Sequence, residues 1–337
     1  MNSLERLTAT LRFEAADRTP VIPQVFAHAA VRAGVPIVDY LHDGALLARC
    51  QIEARREYGS DAVFAFMDVA VEAEAMGCRL EFPDGQYPHV TAHSLLPDTP
   101  FGKLELPDPQ RDGRLPELLR ATALLREELD GVAPVVGVVL GPMSLAQQLM
   151  GAETALYLAV DEPERFEQLL DLTAEVARRH GRALLGAGAQ IVVVFEPAGS
   201  PVVVPAAFFR ELLVPRIAAL NAAFKAAGAL ATWLHIAGDV TPILPAYERT
   251  GADIVNLDYE VDPERAALVL PRACLDGNVR SLAFVLETAD EVAAEGRRLV
   301  ARLRARGGFI LSSGCEIPPE ARPENIAALV SAARGRS

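Results

Sequence analysis

Short, continuous apolar runs alternate with amphipathic segments along the whole chain. Strands of a parallel sheet read as unbroken apolar runs because both faces of the sheet are covered, and segments with one polar face are typical of helices. We predict eight strands: "PVIPQVF" (20–26), "DAVFAFM" (61–67), "PVVGVVLG" (134–141), "QIVVVFEP" (190–197), "ALATWLHI" (229–236), "ADIVNLDY" (252–259), "ACLDGNV" (273–279) and "GGFILSSG" (307–314).

Helical patterns lie between most of these runs, and several end in glycine, which readily adopts the left-handed conformation that closes a helix. Examples are residues 47–59, 161–188, 205–228 and 288–307. No Ser-rich or Pro-rich linker separates the repeating units. The pattern therefore predicts a single (β/α)8 TIM-barrel domain over residues 1–337.

One segment, residues 79–110, departs from this alternation because it is Pro-rich and contains only short alternating runs. We predict a β-hairpin and loop that leave the barrel after its second strand, on the face where barrels place their active sites. Two roles are open for it: covering the site, or forming a contact in a homodimer.

Composition narrows the class of protein. Apolar residues make up 51% of the chain, and the net charge is −13 with a pI near 5.0. Nucleic acid demands a basic face, so this balance argues against it as a partner. The charged start lacks a secretory signal pattern, no apolar run reaches the roughly 20 residues that span a bilayer, and the four cysteines show no pairing pattern. We expect a soluble, cytoplasmic protein with reduced thiols.

Candidate functional residues are found where the predicted strands end, since barrel enzymes place their chemistry at the carboxyl ends of strands. The polar residues there are Gln24 or His28, Asp68, Gln147 or Gln148, Glu196, His235, Asp258, Asn278 and Cys315. Each has a structural alternative as well. Asp68 could cap a helix, His235 could be a hydrogen-bonded structural residue, Cys315 a small buried one and Asn278 a turn former.

Several motifs resemble the uroporphyrinogen decarboxylase superfamily, and more closely its corrinoid-linked methyltransferase branch. They follow one another in order along nearly the whole chain: "DAVFAFMDVAVEAEAMG" (61–77), "GPMSLAQQLMGAE" (141–153), "VDEPERF" (160–166), "FEPAGSPVVVPAAFF" (195–209), "LHIAGDVTPIL" (234–244), "GADIVNLDYEVD" (251–262), "LDGNV" (275–279) and "SSGCEIPPEARPENIAALVSAAR" (312–334). The resemblance implies a TIM barrel and is much less specific for the substrate.

The resemblance also shows where this chain departs from true porphyrinogen decarboxylases. Those enzymes carry an Arg-Gln-Ala-Gly-Arg signature after the first strand, whose arginines hold substrate carboxylates; here "PQVFAHAAVRAG" offers only Arg32. Gln148 stands where they have a tyrosine, and Cys315 lies near where they have a histidine. Asp68 matches their essential aspartate, which the methyltransferase branch shares.

The branch that methylates thiols implies a zinc site built from His-x-Cys and from the cysteine of Ser-Ser-Gly-Cys, where zinc lowers the thiol pKa. This chain keeps His235 and Cys315 but has Ala237 in place of the middle cysteine. Related cobalamin-independent methionine synthases add a carboxylate ligand, and Asp258 is similar in position. The tentative metal ligands are therefore His235, Asp258 and Cys315, and zinc stays an open expectation.

The function that this resemblance implies is transfer of a methyl group between a corrinoid, carried by a separate protein, and a small-molecule donor or acceptor. Asp68, Glu196 and His235 are the predicted catalytic residues, with the two carboxyls handling protons. Gln148, Asn278 and Asp239 are predicted to contact the substrate. The alternatives are a uroporphyrinogen decarboxylase-type enzyme and a non-catalytic protein that binds a small molecule.

Overall fold

The computed structural model describes residues 1–334, and these contain nine strands. Seven are parallel and form one curled sheet, and the other two pair with each other. Their bounds are β1 Val63–Ala65, β2 Arg79–Glu81, β3 His89–Ala92, β4 Val135–Leu140, β5 Ile191–Phe195, β6 Ala231–His235, β7 Ile254–Leu257, β8 Cys274–Val279 and β9 Phe309–Ser313. The sheet order β1-β4-β5-β6-β7-β8-β9 follows the chain, as expected when each crossover returns to the neighbouring strand.

Sixteen α-helices in the described residues connect and cover these strands. They are α1 Ser3–Leu11, α2 Ala27–Arg32, α3 Ile37–His42, α4 Gly44–Tyr58, α5 Val71–Ala75, α6 Leu115–Glu128, α7 Pro142–Met150, α8 Ala152–Asp161, α9 Pro163–Ala187, α10 Ala206–Phe208, α11 Val214–Ala226, α12 Leu244–Tyr247, α13 Pro263–Val269, α14 Ala283–Leu286, α15 Ala289–Leu303 and α16 Pro323–Ala332. A π-helical turn, Phe209–Leu213, joins α10 to α11.

Local sequence explains where individual helices begin and end. The Asp43 side chain accepts hydrogen bonds from the first backbone N–H groups of α4, and Gly59 ends that helix with a φ of 76°. Thr288 and Glu291 form a reciprocal capping box at the start of α15. These caps satisfy backbone groups that would otherwise lack partners at the helix ends.

The parallel α/β architecture is confirmed, but the first predicted strand (20–26) is not a regular strand. Val21 makes a single parallel bridge with Leu311 of β9, and on its other side its carbonyl accepts a 2.8 Å hydrogen bond from Asp61 N–H. Pro20 and Pro23 supply no N–H, so this segment lacks the donors of a continuous ladder. The sheet therefore has seven strands rather than eight, and residues 20–25 lie between its two edges.

The Pro-rich segment at 79–110 contains the antiparallel pair of β2 and β3, with Leu80 opposite Val90. It follows β1 in the chain, and it returns to the sheet through α6. Because all seven sheet strands run in the same direction, their carboxyl ends share one edge. We call this edge, with the loops that leave it, the mouth.

Candidate functional site

The imidazole of His235 and the thiol of Cys315 meet at the mouth. His235 is the last residue of β6, Cys315 follows β9, and 3.6 Å separates Nε2 from Sγ. His235 Nδ1 is buried and has no hydrogen-bond partner among residues 1–334. Burial lowers the pKa of His235 to about 4 and raises the pKa of the Cys315 thiol to about 12. Both side chains are therefore neutral near pH 7.

Asp258 lies beside this pair in the loop after β7. Its Oδ2 accepts a 2.7 Å hydrogen bond from Gly238 N–H, and its Oδ1 accepts one of the same length from Tyr259 N–H. Gly314 lies so close that a Cβ there would stand 2.6 Å from Asp258 Oδ1. The negative charge of Asp258 opposes the fall in the pKa of His235. The loops after β6, β7 and β9 thus converge on one carboxylate.

Asn278 supports the loop that carries Asp258. Its buried Nδ2 donates to the backbone carbonyls of Asp258 and Val261, at 3.1 and 2.8 Å. These two bonds fix the turn after β7. The amide is therefore placed to hold Asp258, while its predicted contact with substrate stays a prediction.

Glu196 is fully buried at the end of β5, where its carboxylate caps the start of α7. Its oxygens accept hydrogen bonds from Met143 N–H at 3.0 Å, Ser144 N–H at 2.8 Å and the Ser144 hydroxyl at 2.5 Å. A Cβ on Gly141 would collide with it. Burial raises the pKa of Glu196 to about 7 despite these hydrogen bonds. This carboxyl can consequently change its protonation state near neutral pH.

Asp68 follows β1 and is held by Arg114, a residue that no motif in the sequence singled out. Arg114 Nη1 lies 2.5 Å from Asp68 Oδ2, and its Nε lies 2.7 Å from a Glu74 oxygen. Arg114 also donates to the Leu41 carbonyl and stands over the Phe82 ring. Both partners of the Asp68 pair are buried. Arg114, which lies 46 residues further along the chain, thus compensates the negative charge of Asp68.

Asp239 and Gln148 are the two predicted substrate contacts that remain. Asp239 is exposed, and its Oδ1 accepts from Thr241 N–H within its own turn. Gln148 lies on α7 with its Oε1 buried and without a partner in the described chain. No hydrogen bond joins either side chain to the His235 pair within residues 1–334. Their roles as substrate contacts stay predictions.

The rings of Phe195, Phe66 and Phe26 form an apolar layer, the aromatic floor, next to the pair of His235 and Cys315. The Phe195 ring lies 4.5 Å from the His235 ring, measured between centroids, and 5.5 Å from that of Phe66. Phe66 in turn packs on Phe26 at 4.6 Å. This floor excludes water from below and explains why His235 is so strongly desolvated.

The hairpin segment reaches back to the mouth through Tyr87, and this contact was not predicted. The Tyr87 hydroxyl donates to Glu316, the residue after Cys315, and accepts a 3.0 Å hydrogen bond from Ala27 N–H. Burial raises the pKa of Glu316 to about 7. Glu316 was visible in the motif around Cys315, but nothing in the sequence indicated that Tyr87 would be its partner.

The residues present supply only part of a zinc site. Zinc bound tetrahedrally by one nitrogen and one sulfur holds these atoms about 3.5 Å apart, as its bond lengths require. The observed 3.6 Å between His235 and Cys315 matches that value. Within residues 1–334, however, no group of three or more His, Cys, Asp or Glu side chains is arranged to hold a metal ion. The donor set does not fit a catalytic zinc with three protein ligands.

Comparison with known proteins agrees with this architecture. The model of the uroporphyrinogen decarboxylase (URO-D) family matches residues 2–336, and the chain belongs to that family. The methylcobamide:CoM methyltransferase MtaA of Methanosarcina barkeri is 30% identical over 292 residues, covering 85% of this chain and 83% of that protein. The uroporphyrinogen decarboxylase of Thioalkalivibrio sulfidiphilus is 28% identical over 362 residues, covering 98% and 97%.

Among solved structures, a methyltransferase from Methanosarcina mazei superposes with a TM-score of 0.89 at 27% identity, covering 98% of both chains. The predicted resemblance to the corrinoid methyltransferase branch and the prediction of an enzyme of the methyltransferase class are both confirmed by these relatives. Among the described helices, none is long and apolar enough to cross a membrane.

Proposed function

We propose that this chain transfers a methyl group between a corrinoid, carried by a separate protein, and a small molecule bound at the mouth beside His235 and Cys315. The observation that carries the proposal is the 3.6 Å approach of these two side chains over an aromatic floor. It is supported by relatives that are named for methyl transfer from methylcobamide to coenzyme M.

In the direction of the coenzyme M methyltransferases, the acceptor is a thiolate. A methylated corrinoid supplies a methyl group that leaves cobalt without its bonding electrons, so the new carbon–sulfur bond uses an electron pair of the thiolate. The thiol would release its proton to solvent before transfer, and neutral His235 would orient the resulting thiolate by donating its ring N–H to the sulfur. The buried surroundings of this nitrogen exclude water from the reacting atoms.

In the opposite direction, a methylated donor needs a proton on its leaving atom. We assign that role to Glu196, because its pKa of about 7 lets it hold or release a proton near neutral pH. Asp68 serves better as a positioning residue, since both of its oxygens are held by the Arg114 guanidinium.

The corrinoid-carrying partner would dock on the mouth. Exposed apolar side chains follow four of the sheet strands, and we propose that they form the apolar part of this contact. They are Val69 after β1, Val202 after β5, Tyr259 after β7 and Leu282 after β8. We also propose that residues 20–25 act as the eighth member of a closed barrel around this mouth.

Arg280 is a reason to propose an anionic methyl acceptor such as coenzyme M, a thiol that carries a sulfonate. It follows β8, stands 5.5 Å from the Tyr259 ring, and its guanidinium makes no ion pair with another residue of 1–334. The next residue, Ser281, accepts a hydrogen bond from Cys315 N–H at 3.2 Å. An exposed arginine that makes no ion pair within residues 1–334 can bind a sulfonate or carboxylate.

Decarboxylation of a porphyrinogen is the second candidate, because relatives with that name cover almost the whole chain. Two contacts weigh against it. Arg32 is paired with Glu57, and Asp68 is paired with Arg114, so neither is free for a polycarboxylate or for a cationic pyrrole.

The test is an anaerobic assay of the purified protein with methylcob(III)alamin, in the presence and absence of 2-mercaptoethanesulfonate. Thiol-dependent loss of the methylcobalamin spectrum supports the proposal. Conversion of uroporphyrinogen to coproporphyrinogen by the same preparation would favour the decarboxylase. Stabilisation by ligands without turnover of any methyl donor would indicate a protein that only binds a small molecule.

A further inference from the structure

We infer that this chain retains two ligands of a zinc site, His235 and Cys315, but lacks a third protein ligand. The missing ligand belongs at position 237. A cysteine at this single position would restore metal binding. The inference concerns metal binding alone. It holds for any methyl acceptor and does not rest on the proposed function.

The first argument is the spacing of the two donors that are present. His235 and Cys315 come from strands that are not neighbours in the sheet, β6 and β9, yet they approach to 3.6 Å. The approach equals, within about 0.1 Å, the separation of two ligands on one tetrahedral zinc. The His235 ring packs on the Phe195 ring, and the backbone of Cys315 is anchored by the bond from its N–H to Ser281.

The second argument is that Asp258 is not placed to act as the third zinc ligand. Both of its oxygens are turned toward backbone N–H groups, those of Gly238 and Tyr259. These bonds direct the carboxylate toward the loops, and the crowded approach of Gly314 leaves it little room to turn. Two protein donors fall short of the three that catalytic zinc sites use, and two are too few for tight binding.

The third argument is the placement of Ala237. It lies two residues beyond His235, in the loop that leaves the end of β6. The backbone around it is fixed, because the next N–H, that of Gly238, is bonded to Asp258. Ala237 is half-buried, so a thiol there would be sheltered but still reachable by an ion from the mouth.

The experiment is to incubate purified wild type and Ala237→Cys with zinc chloride under reducing conditions, remove free metal by gel filtration and measure zinc per chain by mass spectrometry. The matched control is Ala252→Cys, since Ala252 is also half-buried but precedes β7 at the opposite end of the sheet. Two double variants, Ala237→Cys with Cys315→Ser and Ala237→Cys with His235→Ala, test whether the new metal uses the existing donors. The single variant Cys315→Ser tests whether any zinc in the wild type depends on this thiol.

We expect close to one zinc per chain in Ala237→Cys, and far less in the wild type, in Ala252→Cys and in both double variants. Circular dichroism melting of each sample confirms folding. Two results would overturn the inference. One is stoichiometric zinc in the wild type that is lost in Cys315→Ser, which would mean that the existing residues already form a complete site. The other is a folded Ala237→Cys protein that binds no more zinc than Ala252→Cys.

Discussion

His235 and Cys315 are 80 residues apart in the chain, yet the His235 Nε2 and Cys315 Sγ atoms lie 3.6 Å apart at the mouth. The parallel sheet produces this contact, because β6 and β9 run in the same direction, so the last residue of β6 and the loop after β9 lie at one edge. Asp258 joins them from β7 through its bond to Gly238 N–H. The site is therefore built by strand ends and held by backbone hydrogen bonds.

Removing the Arg114 side chain should strongly destabilise the protein. In Arg114→Ala, Asp68 and Glu74 would lose the cation that compensates their charges in a buried setting. Loss of one partner of a buried ion pair costs about 3 to 5 kcal/mol. Urea unfolding measures this change. Arg111→Ala is the control. Arg111 is exposed and, within residues 1–334, pairs with its neighbour Asp112 alone, so its loss should shift the unfolding free energy by less than about 0.5 kcal/mol.

Glu196 should give the protein a characteristic loss of stability with rising pH. Burial raises its pKa in the folded state from 4.5 to about 7, so the folded state binds this proton more tightly than the unfolded state does. The resulting stabilisation is complete below pH 4.5 and is lost as the pH rises through 7, with a total on the order of 3 kcal/mol. In Glu196→Gln this component disappears. Unfolding free energies measured between pH 4.5 and 7.5 should therefore decline less steeply in the variant, and parallel curves would contradict the assignment.

A methyl group at position 314 should damage the site more than the fold. The Cβ of Gly314→Ala would stand 2.6 Å from Asp258 Oδ1 and 2.9 Å from Tyr259 N, so the carboxylate and its loop must move. Overpacking of this kind costs about 1 to 3 kcal/mol, and methyl-transfer activity should fall further because Asp258 leaves its place. Gly102→Ala is the matched control, since a Cβ at Gly102 meets no atom within 4 Å. Equal activity in the two variants would argue against a role for this loop.

Arg280 should discriminate between thiols by charge. Arg280→Ala is expected to raise the KM for 2-mercaptoethanesulfonate by about tenfold, equivalent to about 1.4 kcal/mol of binding, and to leave the KM for neutral 2-mercaptoethanol unchanged. Arg182→Ala provides the control, because Arg182 is an exposed arginine near the end of α9. A similar effect of Arg280→Ala on both thiols would show that the guanidinium does not bind the anionic group.

The sequence was informative where one segment determines its own structure. Apolar runs located the seven parallel strands, and the residues ending them included His235, Asp258 and Cys315, which meet in the folded chain. The prediction of a strand at residues 20–26 was wrong. The segment has the composition of a strand, but Pro20 and Pro23 lack the N–H donors that a strand ladder needs.

The same reasoning could not identify side-chain partners that lie far apart in the sequence. Nothing in the neighbourhood of Asp68 indicates that Arg114 will bind it, and nothing near Glu316 indicates Tyr87. Glu196 shows the same limit. Its own loop needs no helix cap, but the carboxylate caps α7, which begins 54 residues earlier at Pro142. Such pairings depend on the register of strands that only the fold brings together.

The central claim is that the mouth beside His235 is where the methyl group is transferred. Its most direct test compares the wild type with His235→Ala in the anaerobic methylcobalamin assay with 2-mercaptoethanesulfonate, with melting curves to verify that both are folded. The account predicts thiol-dependent demethylation by the wild type and a turnover at least about 100-fold slower in the variant. A folded His235→Ala protein with wild-type turnover would contradict it.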